Sequence, residues 1–182
     1  WMILEEFDEN RQAIINPEDL VEALPDFPET VVSCFARETF KRMLADFQHE
    51  LLASTSMANI EIPIYKVFVE EREIALFNAP VGASACVAIL EDLIAFGMKK
   101  LVLFGTCGVL DEDIKETSII VPHTAIRDEG TSYHYLPASD EIEVNVGLRD
   151  FLLSFLTKNK ISHSTGKVWT TDGIYRETPD LL

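Results

Sequence analysis

Apolar and polar positions change period several times along the chain, and each change predicts an element. Thr30-Val31-Val32-Ser33-Cys34-Phe35 reads as a short buried strand. From Arg37 to Leu52 the apolar residues Phe40, Leu44, Phe47 and Leu51 recur at helical spacing, which predicts a helix over that stretch. Ile60, Ile62 and Ile64 alternate with other residues and lead into Tyr65 to Val69, the period of a strand. Glu70-Glu71-Arg72-Glu73 reads as a hairpin turn and Ile74-Ala75-Leu76-Phe77 as the returning strand. Pro80-Val81-Gly82-Ala83 breaks the pattern, and Ser84 to Phe96 predicts a helix with Gly97 as its C-cap.

Further on, Leu101-Val102-Leu103-Phe104 is an uninterrupted apolar run before Gly105, the signature of a fully buried central strand. Ser118-Ile119-Ile120-Val121, closed by Pro122, is a second such run. Asn145 to Asn159 predicts an amphipathic helix through Leu148, Leu152, Phe155 and Leu156, and Ser164 to Thr171 a strand. The first 29 residues read as a peripheral segment, with a helix start at Asn16-Pro17-Glu18-Asp19, a short helix through Leu20, Val21 and Leu24, and stops at Pro25 and Pro28. Strands alternating with helices predict an α/β fold: one domain over 1–182, a twisted mixed sheet flanked by helices. No repeat and no Gly-, Ser- or Pro-rich linker divides the chain.

Charge narrows the function. The formal net charge of -16 over 182 residues repels phosphate backbones, so nucleic acid is an unsuitable partner. A single small anion held by a local Arg and backbone amides remains compatible with it. No run approaches the roughly 20 apolar residues that cross a bilayer, and Trp1 to Asn10 is acidic, without a signal-peptide core. Cys34, Cys86 and Cys107 lack CxxC spacing, which points to a reducing cytoplasm, away from disulfides and zinc, and to three small buried apolar residues.

Four segments concentrate chemistry. In Leu101–Gly108 a strand runs into a Gly-x-x-Gly turn; glycine lets the backbone approach a ligand closely, and Thr106 adds a hydroxyl. Taken alone, the turn is better explained as a tight connection without a ligand. Pro80-Val81-Gly82-Ala83-Ser84-Ala85 is a strand-to-helix junction whose amides could hold an oxygen, or a plain helix start capped by Ser84. Ala125 to Tyr135 gathers Arg127, Asp128, Glu129, Tyr133, His134 and Tyr135, as a binding loop or as an internal salt bridge from Arg127 to Asp128 or Glu129. Trp169 to Thr178 delivers hydroxyls, the Asp172 carboxylate and aromatic surface at another strand end, suited to a flat base or to an Asp-Gly turn over a core Trp. Glu129, His134 and Asp172 are acid–base candidates or structural groups.

In this order, PVGASA, LFGTCGVL, IIVPHTAIRDEGTSYHY and WTTDGIYRETP resemble the nucleoside phosphorylase family, which includes uridine phosphorylase and the hexameric purine nucleoside phosphorylases. The similarity runs from about Ser33 onward. It implies a pentosyltransferase of nucleoside salvage that cleaves the N-glycosidic bond with inorganic phosphate, giving free base and pentose 1-phosphate, purines slightly favoured. No metal or organic cofactor is implied; phosphate is the co-substrate. The resemblance assigns Arg37, Gly82 and Thr106 to phosphate and Cys107, Gly108, Thr171, Asp172, Ile174 and Tyr175 to the nucleoside. It implies a homo-oligomer.

The departures are specific. Ser33-Cys34-Phe35 replaces the family's Gly-Asp-Pro turn before Arg37. Leu103 stands where a second Arg is usual, and Lys66 is the nearest cation where the hairpin usually carries another. The Met-Glu pair that grips ribose, and the catalytic Asp of purine enzymes, have no counterpart before Leu182, so the expectation for this form is a partly formed site with little or no turnover. A hydrolytic nucleosidase and a non-catalytic nucleoside-binding or oligomer-forming protein are the alternatives.

Overall fold

The computed structural model describes residues 3–114 and 119–181. They form two compact units, Glu9–Thr106 and a second comprising Trp1–Asp8 with Cys107–Leu182. The class is mixed α/β as expected, with the strands hydrogen-bonded into two sheets, one of five strands and one of three.

In the Glu9–Thr106 unit the strands are β1 (Thr30–Cys34), β2 (Gln48–Met57), β3 (Ile60–Val69), β4 (Arg72–Asn78) and β5 (Lys100–Phe104), in the order β2-β3-β4-β1-β5. β1 lies parallel to both β4 and β5, whereas β2, β3 and β4 pair antiparallel. Alternation sends successive side chains to opposite faces. Val31, Ile62, Ile64, Ala75 and Phe77 meet Ile89 and Leu93 of helix α3 (Ala83–Phe96) on one face. Cys34, Val67 and Leu76 meet Phe40 of α2 (Arg37–Asp46) on the other. Phe77 and Ile64 are fully buried, each contributing about 1.5–3 kcal/mol by leaving water.

Three expectations change in this unit. The helix begun at Arg37 ends at Asp46, and Gln48–Met57 pairs along β3 from Gln48↔Phe68 to Met57↔Ile60. The helical spacing of Phe47 and Leu51 is coincidental: both are exposed, and cross-strand pairing overrides the local pattern. The apolar run Leu101–Phe104 belongs to an edge strand, with Leu103 37% and Phe104 41% exposed, because so short a run does not encode how many neighbours a strand has. The segment read as peripheral reaches the core. Helix α1 is a single turn (Pro17–Leu20), but Val21 and Leu24 pack on the core, and buried Phe27 stacks on Phe96 with ring centroids 5.7 Å apart.

In the other unit β6 (Ile119–Asp128) is central, antiparallel to β7 (Glu141–Glu143) and parallel to β8 (His163–Thr171). Ser118, the expected start of β6, lies outside the described residues. Helix α4 (Val146–Lys158) starts where predicted, with Asn145 Oδ1 accepting the Leu148 amide at 2.9 Å. Leu156 is buried, whereas Leu148 and Phe155, expected on the same apolar face, are exposed. Cys34 and Cys86 are buried as read; Cys107 is exposed, because it follows the end of β5 instead of lying within an element. Among the described residues no helix is long and apolar enough to cross a membrane.

Candidate functional site

Three neighbouring parallel strands of the Glu9–Thr106 unit end at one level. Cys34, the last residue of β1, is in register with Asn78 of β4 and Phe104 of β5. Each strand then delivers one of the expected phosphate contacts: Arg37 begins α2, Gly82 is the N-cap of α3, and Thr106 follows β5 by two residues. Ligands on α/β sheets bind at such carboxyl ends.

The tips are fastened together. Asn78 Nδ2 donates to the Cys34 carbonyl at 2.7 Å, and the Ala79 amide donates to the same carbonyl at 3.0 Å. Buried Ser33 donates from Oγ to the Phe77 carbonyl at 2.9 Å. This crosslink occupies the Ser33-Cys34 part of the segment that departs from the family turn. Asn78 escaped sequence reasoning; its only signal was a polar residue closing an apolar strand.

Both helix starts at these tips are open. Neither Ala36, the N-cap of α2, nor Gly82 provides a side-chain cap, and the first turn of α3 has no acidic residue. Ser84 is therefore not the cap; it lies inside α3, after Gly82. First-turn amides and the helix dipoles favour an anion there. Gly82 holds φ +106, a conformation that side chains resist, and a Cβ on it would meet nothing within 4 Å, so the space beside it is open. Gly105 differs: a Cβ there would lie 2.9 Å from Phe35 Cδ2.

Arg37 is exposed, and no hydrogen bond or ion pair to its side chain is found among the described residues. Its neighbour Glu38 is paired with Lys41 at 2.9 Å, and that ammonium holds the carboxyl below its usual range. Lys66, the cation in β3, pairs with Glu73 at 3.3 Å and is largely covered. Burial pushes the Cys34 thiol upward, the Ala36 carbonyl partly opposing it.

The expected nucleoside contacts lie in the other unit. Thr171 ends β8, and its Oγ1 accepts the Gly173 amide at 3.0 Å. Asp172 is tied to the end of β6: its amide donates to the Asp128 carbonyl and its Oδ2 accepts the Gly130 amide, each at 3.0 Å. Trp169 Nε1 donates to Asp128 Oδ2 at 3.1 Å. Ile174 and Tyr175 follow as exposed residues, 72% and 94%, and Cys107 and Gly108 are exposed in the segment after β5.

The loop after β6 resolves the alternatives left open for Arg127. Its buried guanidinium donates to Ser132 Oγ, Ser139 Oγ and the Pro137 carbonyl, each at 2.8 Å, and lies 4.1 Å from the centre of the Tyr133 ring. It bonds neither Asp128 nor Glu129. Glu129 accepts the Thr131 and Ser132 amides and the Ser132 hydroxyl. Both residues are occupied in shaping the loop.

A family profile described as Phosphorylase superfamily matches residues 36–182. The chain is 29% identical over 124 residues to a DeoD-type purine nucleoside phosphorylase of Buchnera aphidicola, covering 65% of this chain and 51% of that protein. It is 26% identical over 113 residues to the Bacillus thuringiensis protein of the same name, covering 61% and 48%. It thus spans about half the length of the curated relatives it matches. Among solved structures, uridine phosphorylase from Vibrio fischeri superposes with TM-score 0.76 at 21% identity, over 93% of this chain and 70% of that one. Purine nucleoside phosphorylase from Toxoplasma gondii in complex with immucillin-H gives 0.74 at 19%, over 87% and 66%.

Proposed function

The chain belongs to the phosphorylase superfamily, as a member of the nucleoside phosphorylase family, and on that premise we propose that it binds inorganic phosphate at its strand tips and serves phosphorolytic cleavage of a nucleoside. The observation that carries the reading is the shared level of three parallel strands, from which Arg37, Gly82 and Thr106 emerge. An Arg fork and uncapped helix amides suit a tetrahedral oxyanion. In phosphorolysis the C1′–N bond breaks, the base leaves with the bonding pair, and a phosphate oxygen closes onto the oxocarbenium-like C1′. Holding phosphate in position and balancing charge supply the catalysis. Thr171, Asp172, Ile174, Tyr175, Cys107 and Gly108 are the proposed nucleoside contacts, purines are the preferred substrates, and phosphate is the only co-reactant. Assembly of several copies and a cytoplasmic setting belong to the same proposal.

Leu103, where a phosphate-binding Arg is usual, favours a second reading in which water replaces phosphate. Incubating the chain with inosine or adenosine, with and without phosphate, separates them. Base release that depends on phosphate supports phosphorolysis. Equal release without phosphate transfers the assignment to a nucleosidase, and saturable nucleoside binding without release identifies a non-catalytic binder.

A further inference from the structure

Phe35 is the residue whose ring lies nearest the place a Cβ on Gly105, in the turn carrying Thr106, would take. It follows β1 directly, is partly buried against the main core, and lies so close over Gly105 that a Cβ there would fall 2.9 Å from Cδ2 and 3.5 Å from Cε2. A ring packed against the core on one side and this close to Gly105 on the other limits the freedom of that backbone on the ring side. Phe35 is also two residues before Arg37, so the same ring anchors the turn leading into α2. It stands in the segment where the chain departs from the family pattern.

We infer that Phe35 is a positioning residue of the phosphate site: its ring, seated on Gly105, sets the direction in which the Gly105-Thr106 backbone presents its donors. Phe35 itself contacts no substrate. The inference rests on the strand-tip reading above and adds to it a steric partnership between β1 and β5. A side chain in place of Gly105 would meet the edge of the partly buried ring at 2.9 Å, so either the ring or the turn would have to shift. The smaller Val, by contrast, keeps an apolar group against the core and ends at the γ carbons, the level at which Phe35 Cγ lies 4.0 Å from a Cβ on residue 105.

The test is a double-mutant cycle on the full chain, read by isothermal titration of inorganic phosphate, with urea unfolding as a separate record of stability. G105A is expected to weaken phosphate binding by about tenfold, and F35V by a few-fold, with a urea midpoint that keeps the chain folded at the titration temperature. F35V/G105A is expected to bind no worse than F35V alone, because valine has no δ carbons and the clash with Cδ2 is gone. The adverse result is a G105A penalty of the same size with and without Phe35, or parent-like phosphate binding in F35V. A structural role alone would move the urea midpoint and leave the affinity of the folded fraction unchanged, which also overturns the inference. If the parent binds no phosphate, the strand-tip reading fails and this inference falls with it; if the parent binds and G105A binds equally well, only the inference about Phe35 fails.

Discussion

The Gly130 amide donates to Asp172 Oδ2 at 3.0 Å, joining the loop after β6 to the residue that follows β8. Parallel pairing of the two strands brings these positions together, since Asp128 and Thr171 are register partners. Asp172 is thus a structural anchor as well as a proposed nucleoside contact. Asp172→Ala should cost about 0.5–1.5 kcal/mol of stability, and Asp172→Asn, which keeps an acceptor oxygen, should recover most of it. Urea unfolding of the three proteins measures this; equal loss in both variants would assign the cost to charge instead of the hydrogen bond.

Arg127 makes the larger contribution to the same loop. Its guanidinium serves two hydroxyls and the Pro137 carbonyl and faces the Tyr133 ring. Arg127→Met leaves these acceptors unpaired and should destabilise by about 2–3 kcal/mol. Arg127→Lys should restore only part, because one ammonium does not span a fork of partners. Thermal unfolding checks the order parent, Lys, Met; a Lys variant as stable as the parent would reduce the role of Arg127 to its charge.

The cysteines differ in reactivity. Burial raises the thiol pKa of both Cys34 and Cys86, which keeps them protonated at neutral pH, whereas Cys107 is exposed. A disulfide reagent at pH 8 should modify Cys107 rapidly in the native protein and the other two only on unfolding. Rapid reaction of all three would mean that the strand tip around Cys34 opens readily.

Glu29 and Lys99 form an ion pair of 3.0 Å joining the entry of β1 to the entry of β5. The hydrogen bond from Lys99, followed by its charge, holds the Glu29 carboxyl below its usual value. A lowered folded-state value stabilises above the unfolded carboxylate pKa and is lost as pH falls through the folded one. The parent should therefore exceed Glu29→Gln in stability by a small, salt-sensitive margin above the ordinary carboxylate pKa, and the margin should vanish as pH falls through the lowered folded-state value. Unfolding curves at stepped pH read it; a margin that grows with acid would reverse the sign.

Much of this arrangement was legible in the residues, for physical reasons. The hairpin β3–β4 announced itself through period-two alternation around Glu70, and α3 through the stop at Gly97, whose φ is +132. The helix from Asn145 was equally plain, because its cap is a local hydrogen bond. Strand β2 was hidden, since Phe40, Leu44, Phe47 and Leu51 happen to fall at helical spacing and only pairing with β3 decides otherwise. The edge position of β5 was hidden too, as an apolar tetrapeptide does not record its neighbours. At the candidate site, the proposed phosphate contacts Arg37, Gly82 and Thr106 lie on motifs that mark strand ends. The bonds that align their strands, from Ser33 and Asn78, join residues distant in sequence and leave no local trace.

Titration of inorganic phosphate into the 15N-labelled chain, followed amide by amide, tests the strand-tip site most directly. The account predicts saturable shifts concentrated at Arg37, at Gly82 to Ala85 and at Gly105 and Thr106, weakened by roughly tenfold in Arg37→Ala. Saturable shifts centred elsewhere, or none at these three tips, would contradict it.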